Sequence, residues 1–117
     1  MLNLLKFRVK ANYSGLESIK PSEGISGEEA YQLYMDYTLP ELKKAGGRVL
    51  FYGRSESFLI GPKSESWDAV LLVEHLSVPK FIEFAQSEDY QKNAGHRTAA
   101  LEDSRLLPTS EDTFDVV

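Results

Sequence analysis

The run Ala69–Leu76, AVLLVEHL, restricts the fold more than any other part of this chain. Its middle, Val70 to Val73, is apolar at every position, so an extended segment there needs cover on both faces. The pattern predicts a central strand with packing on each side of its sheet. A single domain must supply that packing, because 117 residues is the size of one domain and suffices for one core without staples. The domain is expected to span residues 1–108, with an inserted loop at 12–25 and an acidic C-terminal tail at 109–117.

Other elements follow from periodicity. Leu4 to Ala11 alternates, with Leu5, Phe7, Val9 and Ala11 on one face and Lys6, Arg8 and Lys10 on the other, which predicts a strand with one apolar and one cationic face. Asn12–Ile25 has no period and carries Gly15, Pro21 and Gly24, the marks of a loop. Ser26-Gly27-Glu28-Glu29 reads as a capping box opening a helix. Pro40 is expected to break or kink that helix near Leu39, and Gly46-Gly47 to close it.

Arg48–Tyr52 returns to period two. Gly53 marks a bulge or close approach, and Phe58-Leu59-Ile60 is expected to stay extended until Gly61-Pro62. Ser77 and Pro79 open a second helix with Phe81, Phe84 and Ala85 toward the core. Ser87 restarts it, placing Tyr90, Ala94, Arg97 and Leu101 on one face. Asp103–Leu107 reads as a last strand stopped by Pro108. The order β-α-β-β-α-β predicts an α+β, ferredoxin-like fold: a four-stranded antiparallel sheet, both helices on one face, and the first and third strands central.

Composition narrows function by exclusion. Cysteine is absent, which removes disulfides, thiol nucleophiles and cysteine-bound metals. A net charge of −5 opposes a general phosphate-binding role, and the strands lack the paired aromatics of an RNA-binding sheet, so nucleic acid is not an expected partner. No apolar run is long enough to cross a bilayer, and Lys6, Arg8 and Lys10 interrupt the apolar start, so neither membrane partner nor signal peptide is expected. The expected location is the cytoplasm. No P-loop, dinucleotide fingerprint or nucleophile elbow occurs.

Tyr31 and Tyr34, Pro40 and Leu42 before Gly46-Gly47-Arg48, Gly53 then Gly61, Trp67 with the Val70–Glu74 strand, Ser87-Glu88-Asp89-Tyr90-Gln91, Arg97 and Ser104-Arg105 together resemble the domain of unknown function 1330 family, within the dimeric α/β-barrel superfamily. The resemblance covers roughly Tyr31 to Leu107. It implies a homodimer whose two sheets face one another. It implies no one reaction, since related barrels include monooxygenases, isomerases and haem-binding proteins.

Chemistry concentrates in Ser87–Leu107, which holds one of the two histidines. His96 titrates near neutrality and is the candidate general acid/base, oriented by Asp103; alternatively it packs or caps at a helix end. Arg97 or Arg105 offers a planar fork for a carboxylate. Tyr34, Tyr52 and Trp67 are candidate pocket walls, or simply core. His75 reads as a strand-end residue. No metal site and no cofactor are expected. Three readings remain: a cofactor-independent oxygenase or isomerase-like enzyme acting on a small aromatic or carboxylated metabolite, a non-catalytic homodimeric small-molecule-binding or interaction module, and, as a minor third, a haem-binding variant.

Overall fold

The apolar run becomes β3, Ala69–Glu74, and it lies inside the sheet. One neighbour is β1, Leu2–Phe7; the other is β2, Arg48–Arg54. The far edge is β4, Leu101–Leu107, beside β1, so the order is β2-β3-β1-β4 with antiparallel neighbours throughout. The computed structural model describes residues 1–112; residues 113–117 of the expected tail lie outside the described residues. A helical layer covers one face, formed by α1, Gly27–Lys44, and then α2, Val78–Gln86, α3, Glu88–Gln91, and α4, Ala94–Ala100. The fold is ferredoxin-like, with the first and third strands central as expected.

Helix α1 begins and ends where its sequence dictates. Ser26 Oγ accepts from the Glu29 amide at 3.0 Å, and the Glu29 carboxylate accepts from the Ser26 amide at 3.0 Å. At the other end Gly46, at φ +81°, donates to Lys43 O, and Gly47 donates to Leu42 O. This is a Schellman closure, and the left-handed residue in it favours glycine. The helix runs on through Pro40 to Lys44, so the break among the two expected outcomes does not occur. Pro40 and Asp36, whose carbonyl loses its intrahelical donor, are both exposed residues.

Four other features differ from expectation. The first strand is Leu2–Phe7, not Leu4–Ala11. After Phe7 the backbone turns to new partners: the Arg8 amide donates to Ala100 O and the Gly27 amide donates to Arg8 O. Val9 is therefore fully exposed, and the expected cationic strand face does not form. Only Lys6 remains on it, opposite Asp103 in register. The β2 bulge falls between Val49 and Phe51; Gly53 is the close approach instead, with the Phe51 ring 2.6 Å from where its Cβ would lie, and the strand continues to Arg54. Phe58-Leu59-Ile60 is not strand but an exposed bend. The last strand starts at Leu101, which caps α4 instead of extending its stripe.

The two sheet faces differ. Toward the helices point Leu5, Ala69, Leu71 and Val73, packed against Ala30, Tyr31, Tyr34, Leu42, Phe84, Ala99 and Ala100. Away from them, register aligns Phe51, Leu72, Leu2 and Leu107 as one apolar row across all four strands. Val70 and Leu4 lie in the next row. Charged pairs bound this stripe: Arg48 with Glu74 at one end, and Lys6 opposite Asp103 at the other.

The tightest point is Gly27. A Cβ there would lie 2.2 Å from Arg8 O and 2.6 Å from Ala100 O. Gly27→Ala is expected to destabilise the domain by about 1–3 kcal/mol through overpacking against backbone, and Ser26→Ala by about 1 kcal/mol through loss of the cap. Urea denaturation checks both; two midpoints equal to wild type would contradict this account of the α1 entry.

Candidate functional site

Between α1 and the sheet lies a cavity of about 370 Å³. Its size is that of a small-ligand site. Helix α1 supplies Tyr31, Tyr34, Met35, Thr38, Leu39 and Leu42, which recur at helical spacing. The floor comes from Asn3 of β1, Leu71 and Val73 of β3, and Ser104 and Leu106 of β4. Arg97, His75 and Phe81 complete the wall.

Arg97 is the one cation among the described lining side chains. Its Nη2 lies 3.4 Å from Ser104 Oγ, a weak contact, and the guanidinium also reaches the Tyr31 hydroxyl. No carboxylate among the described residues pairs with it. Burial pushes the Tyr31 and Tyr34 phenols well above their ordinary value, and the nearby Arg97 charge offsets part of that rise. Both phenols stay protonated at neutral pH and act as neutral polar groups beside the guanidinium. The Tyr34 hydroxyl is already engaged, 3.1 Å from that of Tyr90.

Of the other sequence candidates, none joins Arg97 and Tyr34 in the cavity. His96 is buried on the other side of α4, where a 2.7 Å hydrogen bond joins its Nδ1 to the Tyr13 hydroxyl and the Tyr37 ring stacks on it. Asp103 does not orient it; that carboxylate pairs with Arg105 at 2.6 Å. Arg105 itself lies over the Trp67 ring, 5.0 Å from the centroid. Both belong to the sheet face away from the helices, where Trp67 adjoins Leu4 and Val70. Tyr52 faces the helical layer at the sheet edge and is half-exposed outside the cavity.

Thr38 is the functional-looking residue that sequence reasoning passed over, and His75, read as a strand-end residue, does follow β3 directly but also lines the cavity. Thr38 follows Tyr34 by four positions, so helical spacing alone carried the signal. His75 lines the cavity with its ring edge-on to Phe81, and burial, with the Met1 ammonium adding to it, holds its pKa below the ordinary value. No group of three His, Cys, Asp or Glu side chains able to hold a metal occurs among the described residues.

A family model described as a domain of unknown function (DUF1330) matches residues 22–108, from the loop before α1 through β4. The chain belongs to the DUF1330 family. Among solved structures, this DUF1330 chain is similar to RPA0582, a protein of unknown function from Rhodopseudomonas palustris. Identity is 36%, the match covers 94% of this chain and 81% of that one, and the TM-score is 0.78. The methylated form of RPA0582 is similar at 36% identity over 96% of this chain and 81% of that one, with a TM-score of 0.79. No curated protein matches.

The burial of His96 is expected to give this DUF1330 domain a pH-dependent stability. Burial lowers its pKa, so the unfolded chain binds the proton more readily than the native one. The native state is then favoured fully above the unfolded value of about 6.5, and that contribution is lost as pH falls from there toward the lower folded value. Melting temperature is expected to drop between pH 7.5 and 5 in the wild type, and less steeply in His96→Gln. Parallel slopes in the two proteins would show that the Tyr13–His96–Tyr37 cluster tolerates the charge.

Proposed function

We propose that this domain is a homodimeric small-molecule-binding protein whose ligand is a compact acid held in the helix–sheet cavity. One observation carries the reading: Arg97 lines an otherwise largely apolar cavity without a carboxylate partner among the described residues. A partly desolvated cation without a counter-charge costs free energy, and a ligand carboxylate accepting from the planar fork removes that cost. Tyr31, Tyr34 and Phe81 offer rings for an aromatic body, with Met35, Leu42 and Val49 as aliphatic wall.

The enzymatic reading has less support. Acid/base chemistry needs the titrating group within hydrogen-bond reach of the ligand, and His96 is engaged by Tyr13 outside the cavity. An isomerase- or oxygenase-like reaction in this cavity would have to use His75, the imidazole that lines it. Cytoplasmic residence belongs to the same proposal, since a chain without cysteine gains nothing from an oxidising compartment. No helix among the described residues is long and apolar enough to cross a membrane.

The dimer is argued from the opposite sheet face. The row Phe51–Leu72–Leu2–Leu107 leaves Phe51 and Leu107 more than half exposed. A second copy laid sheet to sheet would cover this row, giving the cover on both faces that β3 calls for.

Two measurements test these points. Isothermal titration with phenylacetate is expected to show saturable binding that weakens about 10- to 100-fold in Arg97→Met, the worth of a charge-assisted hydrogen bond, and is unchanged in Arg105→Met. Absence of binding in the wild type would end the carboxylate reading. Sedimentation equilibrium is expected to give a dimer at micromolar concentration and a monomer for Leu72→Asp, whereas a monomeric wild type would remove the homodimer.

A further inference from the structure

Thr38 is 7% exposed, faces the cavity from the middle of α1, and its Oγ1 has no protein hydrogen-bond partner. A threonine inside a helix ordinarily returns its hydroxyl to the carbonyl one turn back; this one does not. The neighbouring tyrosine is occupied, because Tyr34 bonds Tyr90. Thr38 is thus a desolvated polar group without a partner, in a site whose one side-chain cation is Arg97.

Arg97 and Thr38 line the same cavity. The guanidinium acts on both Tyr31 and Tyr34, which precede Thr38 by seven and four positions. At about 1.5 Å of rise per residue, the backbones of these two tyrosines stand roughly 6 to 10 Å along α1 from Thr38. A phenyl ring carrying a carboxymethyl arm covers such a span.

Resting on the carboxylate reading of the cavity, we infer that Thr38 determines its specificity: the preferred ligand is a hydroxylated aromatic acid, carboxylate on Arg97 and ring hydroxyl on Thr38 Oγ1. A threonine hydroxyl both donates and accepts, so it pairs with a phenol in either sense. A plain aromatic acid fills the same space but leaves the threonine unpaired, which lowers its affinity relative to the hydroxylated one.

The test is titration of phenylacetate and its 2-, 3- and 4-hydroxy isomers into wild-type protein, Thr38→Val and Thr38→Ser. In the wild type at least one hydroxy isomer is expected to bind about three- to tenfold tighter than phenylacetate. Thr38→Val, which keeps the side-chain shape, should abolish that gain, so that the hydroxy isomers bind it no tighter than phenylacetate does. Thr38→Ser should retain the gain, and it reports the hydroxyl's role if the valine variant does not fold. If no isomer exceeds phenylacetate, or if the preference survives in Thr38→Val, the role of Thr38 is overturned while the Arg97 site stands. If none of the four acids binds the wild type, the carboxylate reading has failed and Thr38 falls with it.

Discussion

The close approach at Gly27 is the constraint on which the rest of the molecule depends. There the start of α1 lies against the end of β1 and the end of α4, with its amide donating to Arg8 O and the Arg8 amide donating to Ala100 O. No side chain fits between. The other end of α1 is held by the turn at Gly46-Gly47, with Leu42 folded beneath it. Pinned at both ends, the helix crosses the sheet on a row of tyrosines. Rings are bulky and their hydroxyls resist full burial without partners, so they stand the helix off the strands and leave the space that Arg97 enters.

The elements were largely legible in the sequence because each carries a local signal that tertiary contacts reinforce. Ser26 and Glu29 cap α1 as their spacing demands, Gly46-Gly47 closes it, and β3 is central because its middle is apolar on both faces. The misread boundaries share a cause. Alternation continues past Phe7 in the sequence, but the backbone of Arg8 is claimed by Ala100 and Gly27, and hydrogen bonds end the strand where periodicity does not. Phe58-Leu59-Ile60 has strand-like composition without a neighbour to pair with.

The site was less legible, for a reason that lies in the second helical region. Residues 78–100 form three short helices: Ser87 restarts the chain as its capping residue predicts, and a second interruption, without such a signal, falls between Gln91 and Ala94. That second interruption sets the direction of α4, within which successive side chains point about 100° apart. His96 and Arg97 are adjacent in the chain, yet one turns to Tyr13 and Tyr37 and the other to the cavity. Tyr34 and Thr38 suffer no such ambiguity, since α1 is continuous and positions four apart share a face. Arg105 and Trp67 were drawn to the site by their chemistry, but strand alternation puts Arg105 opposite Leu4 and away from the helices, with Trp67 beneath it.

The pairing of β1 with β4 has a kinetic consequence. Leu2 lies opposite Leu107, so nearly the whole described chain must loop back before a central strand gains its second neighbour. Loop-closure entropy rises only slowly with length, but folding slows markedly when stabilising contacts are this non-local. The hairpin-like pair β2 and β3 and the helix α1 can organise early from nearby residues. Asn3, Arg97 and Ser104 come together only when the ends of the described chain meet, so the cavity is complete only once β4 has paired with β1.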